Sequence, residues 1–441
     1  MKILTIDPGG LHVDTARKFG FEGHDSYYYC PWHSAYTKFE AVAPGVNCSK
    51  ITKVMDWAPY VDKVDLIVFP DVGLGETADW LRNKGYTVFG AGLGEKMEQD
   101  RKYSCEQMEK MGIKYPKSHF ATGLDGAIAK VKELMGSKNE TNQLKGGKLF
   151  AKFYIIRGTV NSFPLGSVKE AEEMFNAKRG SLGPFSETVP ICLQESVEGI
   201  ETGADLFFNG EDFVRPYMWG FENGEDYVGV ITNHMESFEE DLKKAAKYLK
   251  SVNYRGALSF ESIYDGKDHH WLDWTCRFPM PLGLMYTIFN DKLGDTFYKI
   301  AKGEPVTSGL PEGHYLGCAG ISSEEVLTDY TALEGNPHTR FVRFMANSKG
   351  DKYGIPGSGV SIVGIFGAKA KDLKNLREEI VKNSEGVSAY FGKYSTKFVD
   401  EIEEKYVKPL EKMGVHFKPE EMRTSESLAG NILKSLRKHG H

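Results

Sequence analysis

The 441-residue sequence is poor in three things, and each shortage excludes a class of protein. It has six cysteines (Cys30, Cys48, Cys105, Cys192, Cys276 and Cys318), and no two form a C-x-x-C pair. A zinc knuckle or a dithiol redox centre is therefore not expected. It has no basic surplus: the net charge is −6 and the isoelectric point about 6.1. A dedicated nucleic-acid binder needs a basic face to neutralise phosphates, so only a local basic pocket stays open. It has no apolar run near the ~20 residues of a membrane helix. The opening MKILTIDPGG lacks the apolar segment of a signal peptide. The expectation is a cytoplasmic protein with reduced thiols. Also missing are a G-x-x-x-x-G-K-[ST] loop, the kinase H-R-D and D-F-G motifs, internal repeats and low-complexity segments.

What is present reads as a mixed α/β chain, too long for one core and suited to two to four units. KILTI, then Pro8-Gly9-Gly10 and a helical pattern over 11–19, is a strand–turn–helix start. Strands over 65–69 and 86–89, with a helix over 77–84 between them, make the first hundred residues a small open parallel sheet. A helix over 96–111 stops at Gly112. Helices over 124–135 and 168–177 flank a strand over 148–156, and 136–147 is a polar, glycine-bearing loop. Strands over 189–195 and 202–209, a helix over 239–251, and a hairpin of 257–264 with 269–275 around Asp265-Gly266 come next. Gly357-Ser358-Gly359 and a strand over 360–366 precede a helix over 370–383. Leu428, Ile432, Leu433 and Leu436 lie at helical spacing in a charged tail.

Several places could carry chemistry. Glu261 and Asp273 sit on paired strands, and alternation puts Asp273, Thr275 and Arg277 on one face. Two carboxylates can share a hard cation such as Mg2+, and a guanidinium beside them suits an anionic substrate. From spacing alone, a surface ion pair is the plainer reading. Lys152 lies inside the apolar run LFAKFYII, where a buried lysine demands an anionic partner. Lys102 opens a helix after Asp100-Arg101, and Arg157-Gly158-Thr159 is a weak phosphate-covering turn. Gln194-Glu195-Ser196-Val197 ends a strand and leads through Glu198-Gly199 to Glu201. Such a segment can read an adenine edge and a ribose, or be a simple exposed turn. Gly9-Gly10 can bring amides to an anion at a helix N-terminus. His269 and His270 point to opposite faces and read as surface residues.

The order of these features is more specific than any one of them. A lysine near 100, a lysine near 150, an acidic turn near 195–201 and carboxylates at 261 and 273 resemble the ATP-grasp enzymes. Over residues 1–400 the sequence is similar to phosphoribosylamine–glycine ligases. MKILTIDPGG resembles that family's opening strand and substrate-holding glycine turn. DRKYSCEQMEKMGIKYPKS looks like its S-K-x-F helix, LQESVEGIETGADLFFNG its nucleotide hinge, and YRGALSFESIY with WLDWTCRFPMP its metal-binding hairpin.

The resemblance implies an α/β (α+β) ATP-grasp fold. It implies a substrate-side parallel-sheet domain over 1–100 and an ATP-grasp domain over 101–300 with a lid at about 119–192. A cap over 301–400 and a charged helical tail over 401–441 complete it. It assigns ATP to Lys102, Lys152, Gln194, Glu195, Val197 and Glu201, and Mg2+ or Mn2+ to Glu261, Asp273 and Thr275. Lys152 and Arg277 would act on the transferring phosphoryl group; Gly9, Gly10 and Arg277 would hold substrate. The partners are a small-molecule carboxylate and an amine, and the protein a monomer or homodimer.

Departures fall on the substrate half. Thr275 replaces the family's asparagine, Pro279-Met280 replace Gly-Asp, and the glycine-rich loop after Lys152 is eroded. VRPYMWGFENGEDYVGVITNHME stands where a D-x-G-P-N-T-G-G-M-G substrate loop belongs. The implied activity is ADP-forming amide ligation through an acyl phosphate, with an altered acceptor. Phosphoribosylamine–glycine ligase itself, and an ATP-binding pseudoenzyme or assembly subunit, stay open.

Overall fold

A computed structural model of the chain describes residues 1–32, 42–135, 148–153, 162–235, 237–280, 282–357 and 361–419. The loop at 136–147, the Arg157-Gly158-Thr159 turn, the end of the strand expected over 148–156, Ser358-Gly359 and the helical pattern from Leu428 to Leu436 lie outside the described residues. The chain divides into two compact units. The larger holds Met1–Glu95, Thr202–Ser259 and Thr275–His441; the smaller holds Lys96–Glu201 and Phe260–Trp274. Residues 101–300, read as one domain from the sequence, contribute to both.

In the larger unit KILTI forms the middle strand, Lys2–Ile6, of a five-stranded parallel sheet. Asp25–Tyr29 and then Thr52–Val54 lie on one side of it, Leu66–Val68 and then Val88–Phe89 on the other. Ile3, Leu66 and Val68 join one apolar cluster, while Leu4, Ile6 and Ile67 join another. Both faces are covered, which is why these strands are continuously apolar rather than alternating. Chain order reverses between Lys2–Ile6 and Leu66–Val68. In sheets of this kind ligands bind beyond the carboxyl ends of the strands at that reversal, here Asp7-Pro8-Gly9 and Phe69-Pro70-Asp71.

The same unit contains a long antiparallel sheet. The aromatic stretch from Val214 is part of it, not a substrate loop. Phe213–Asn223 and Asp226–Thr232 pair around Gly224, with Tyr217 opposite Thr232 and Phe221 opposite Val228. Tyr217, Trp219, Phe221 and Tyr227 are buried. Trp219 Nε1 donates to Thr202 Oγ1 at 2.8 Å, and Phe417 packs edge-on against Trp219 at 5.3 Å between ring centres.

The smaller unit is built on a four-stranded antiparallel sheet, in the order Ser118–Thr122, Pro190–Glu195, Leu149–Phe153, Ser162–Leu165. Leu149, Ala151, Phe153, Ile191 and Leu193 share an apolar cluster with Leu124, Val131, Ala171 and Phe175 of the helices Gly123–Met135 and Val168–Leu182. Period-two alternation then turns Lys152, Cys192 and Gln194 to the opposite face. Lys152 stands directly across from Cys192. The helix expected over 96–111 is broken at Asp100, whose carboxylate accepts the Tyr103 N–H at 3.0 Å and caps Arg101–Met111. The hairpin forms as expected: the Asp265 carboxylate takes the N–H groups of Lys267 (2.9 Å) and Asp268 (2.8 Å). His269 is not a surface residue. It is buried beside Tyr264, 3.0 Å from Ser262 Oγ, because alternation puts it on the same face as Trp271.

Candidate active site

Charged side chains converge on the sheet face that carries Lys152. Its Nζ donates to Asp273 Oδ2 at 3.0 Å, and Arg101 Nη1 pairs with Asp273 Oδ1. Lys152 is only 7% exposed. Burial, then the Arg101 cation, bring its pKa down to about 8, against the pull of Cys192, Glu261 and Glu201. Burial also lowers the Arg101 pKa, with Cys192, Cys105, Glu261 and Glu98 opposing. Glu201 is pushed up, first by desolvation and then by the like charge of Glu261, with Lys152 opposing. Glu201 is itself exposed.

Magnitudes separate this from a solvated ion pair. An exposed pair contributes about 0–1 kcal/mol, whereas dehydrating an ammonium costs several kcal/mol. A lysine this buried is held by a cluster, and the cluster has anions to spare: Glu201, Glu261 and Asp273 against Lys152 and Arg101. The oxygen donors suit Mg2+, which takes one or two carboxylates and completes its shell with phosphate oxygens. Among the described residues no group of three or more His, Cys, Asp or Glu could hold a metal alone. Oxygen atoms from a bound phosphate would have to finish the shell, and Asp273 would have to give up a cationic partner.

Lys102 does not join the cluster. It is exposed and makes no hydrogen bond or ion pair among the described residues, whereas its neighbour Arg101 pairs with Asp273. Adjacent helical residues point about 100° apart, so only one of them can face Asp273. Asp100 was the readable signal: an N-cap at 100 makes 101 the first helical residue.

Of the hinge residues, Gln194 and Glu195 lie in the sheet. Gln194 Nε2 reaches Ser118 Oγ at 3.3 Å, and the Glu195 carboxylate lies 2.9 Å from His119 Nε2 and 3.2 Å from Lys117 Nζ. Val197 follows the strand end, and its backbone N–H and C=O make no hydrogen bond among the described residues.

Thr275 and Arg277 belong to the larger unit. Arg277 Nη1 lies 3.6 Å from Asp71 Oδ1. The glycine turn departs from expectation. The amides of Gly10 (2.9 Å) and His12 (2.8 Å) and the Tyr28 hydroxyl (2.7 Å) all donate to the fully buried carboxylate of Asp7. The anion of this nest is the protein's own. At ~4 Å in a protein-like medium, each unit of phosphate charge would meet roughly 4 kcal/mol of repulsion from Asp7. The signal was an aspartate at the strand end, immediately before Pro-Gly-Gly.

Gly10 holds this turn at φ 73°, and a Cβ there would stand 2.6 Å from Pro44 Cγ. Gly10→Ala is expected to lose about 1–2 kcal/mol from the left-handed backbone alone, and more from the clash. The denaturant midpoint measures this; an unchanged midpoint refutes the strained-turn account.

No family model matches the sequence, and no curated protein does. Solved structures do. The fold is that of the ATP-grasp enzymes. A phosphoribosylamine–glycine ligase from Thermotoga maritima superposes with a TM-score of 0.64 at 16% identity, over 89% of this chain and 99% of that one. The biotin carboxylase domain of Hydrogenobacter thermophilus 2-oxoglutarate carboxylase gives 0.65 at 14% identity, over 91% and 93%. An N5-carboxyaminoimidazole ribonucleotide synthetase from Thermus thermophilus gives 0.59 at 16%, over 87% and 98%.

Proposed function

We propose that the chain is an ATP- and Mg2+-dependent ligase joining a small-molecule carboxylate to an amine through an acyl phosphate. One observation carries the reading: Asp273 is clamped by Lys152 and Arg101, with Glu201 and Glu261 in the same charge cluster. A buried ammonium and a half-buried guanidinium suit a polyphosphate, and spare carboxylates suit a divalent cation beside it. The comparisons lend support. The 2-oxoglutarate carboxylase domain is seen with magnesium ADP and bicarbonate, and two of the structures are named as a ligase and a synthetase.

In this reading the triphosphate takes Lys152 and Arg101 from Asp273. Mg2+ held by Glu261 and Asp273 would neutralise charge on the phosphates. Val197's backbone reads the adenine edge, and Glu201 accepts from the ribose. The substrate carboxylate attacks the γ-phosphorus, the bond to the β-bridging oxygen breaks, and ADP departs. Lys152 and Arg101 offset the charge spreading over the phosphoryl oxygens. The amine then attacks the acyl carbon and loses a proton, and inorganic phosphate leaves. Lys102 has no part in this scheme, and Arg277 is assigned to the substrate side with Asp71. The buried Asp7 carboxylate speaks against a phosphoribosyl group at the glycine turn.

The test is a phosphate-release screen with Mg-ATP over pairs of carboxylates and amines, glycine with phosphoribosylamine among them. ADP formation that needs both a carboxylate and an amine is expected. Nucleotide binding without turnover across the whole panel would favour an ATP-binding subunit instead.

A further inference from the structure

The smaller unit contains two cysteines, Cys105 and Cys192, and the fold brings both to one hydroxyl. Cys105 lies one helical turn after Arg101 on Arg101–Met111, so the two share a face. Cys192 stands on Pro190–Glu195 directly across from Lys152. Ser118 Oγ is the hydrogen-bond partner of both thiols, and its own proton goes to the Pro116 carbonyl at 2.9 Å. Two sulfurs bonded to the same oxygen are near neighbours. Both residues are buried, Cys192 almost completely. Burial, helped by Cys192, pushes the Cys105 thiol up to about 11; burial also raises Cys192, against Arg101 and Lys152. The nucleotide scheme uses neither thiol.

Donor softness and charge decide what this pair can hold. Thiols kept protonated are poor partners for oxidants, because the thiolate is the reactive form. A soft metal ion behaves differently, since it displaces the protons as it binds. Thiolates select soft ions such as Cu(I), whereas Mg2+ takes oxygen. Structural Zn2+ wants four ligands, and among the described residues no group of three or more His, Cys, Asp or Glu offers them. Two thiolates are enough for a linear, two-coordinate ion. A monovalent ion would release two protons and leave a complex with one net negative charge. Cations must offset that charge in a buried place, and two are at hand. Cys192 and then Cys105 are the leading groups that favour the charged form of Arg101, and Cys192 is the leading one for Lys152. We infer that Cys105 and Cys192 form a site for a soft monovalent metal ion of the Cu(I) type, and that filling it opposes nucleotide binding by engaging Arg101 and Lys152. The opposition rests on the nucleotide reading of those two cations; uptake of the ion does not.

The probe is Cu(I), buffered by bicinchoninate under argon and offered to the full chain without nucleotide. The parent should take up one ion per chain, and X-ray absorption at the copper edge should find two sulfur neighbours. Cys105→Ser and Cys192→Ser should each lose that uptake. Serine can still hydrogen-bond Ser118, and a thermal melt of each copper-free variant checks its folding. Mg-ATP affinity, measured by calorimetry, should fall roughly tenfold or more when the parent is loaded with Cu(I). In Cys105→Ser, Cu(I) should leave that affinity unchanged. The site is overturned if the parent takes up no ion, if copper shows three or more protein ligands, or if both variants keep the uptake. Equal Mg-ATP affinity in the loaded and copper-free parent overturns the opposition. Copper uptake by a parent that binds no Mg-ATP would sink the nucleotide reading and leave the metal site standing; Mg-ATP binding without copper uptake sinks the metal site alone.

Discussion

Asp273→Asn is expected to lower ADP formation roughly 100- to 1,000-fold, the effect typical of deleting one preorganised electrostatic group. Asparagine keeps the shape and can still accept from Lys152. It loses the charge that offsets the Lys152 and Arg101 cations and would hold a divalent ion. A purely structural tie would behave differently. Breaking a buried pair costs about 3–5 kcal/mol of stability; the Asp273 side chain is 27% exposed but that of its partner Lys152 only 8%, so part of that cost is expected in the melt. A roughly 100- to 1,000-fold rate loss, about 2.7–4 kcal/mol of transition-state stabilisation, is separated from it by reading turnover per folded molecule. The measurements are phosphate release per folded molecule with the substrate pair found in the screen, and a thermal melt. Unchanged turnover per folded molecule would reduce Asp273 to a tie between strand and helix.

Lys152→Ala should cost a comparable factor, but pH makes Lys152 more informative. Burial and Arg101 favour the neutral amine, so the cation is present below about pH 8 and lost above it. Bound phosphate favours the cation again. Linkage then requires nucleotide affinity to fall, by up to about tenfold per pH unit, from pH 8 until the higher pKa of the complex is reached. Lys152→Arg should flatten that limb, because a guanidinium stays charged. Arg101→Met should move it to higher pH, because one cause of the depression is gone. Affinity measured by calorimetry that stays level from pH 7 to about 10 in the parent would remove Lys152 from the nucleotide site.

Local rules carried the sequence reading a long way. The helix at Glu239–Ser251 falls where its periodicity places it, and the hairpin turns at Asp265-Gly266. Lys152 in an apolar strand announced its need for an anion before any partner was visible. Errors arose where a side chain's direction or a backbone donor's partner mattered. Arg101 and Lys102 are alike in composition terms, and only the cap at Asp100 distinguishes them. The stretch from Val214 stands where the family's substrate loop belongs, and its aromatic residues Tyr217, Trp219, Phe221 and Tyr227 are those of a sheet core.

The sequence by itself determined many of the strands and helices, the placing of Lys152 in an apolar strand, and the placing of Glu261 and Asp273 on neighbouring strands of one hairpin, because propensity, alternation and turn chemistry act over a few residues. Tertiary structure alone decided that Arg101 reaches Asp273, 172 positions away, and that Asp7 occupies the amides of the glycine turn. Which charges meet depends on how distant segments pack, and an electrostatic partner carries no mark in the local chain.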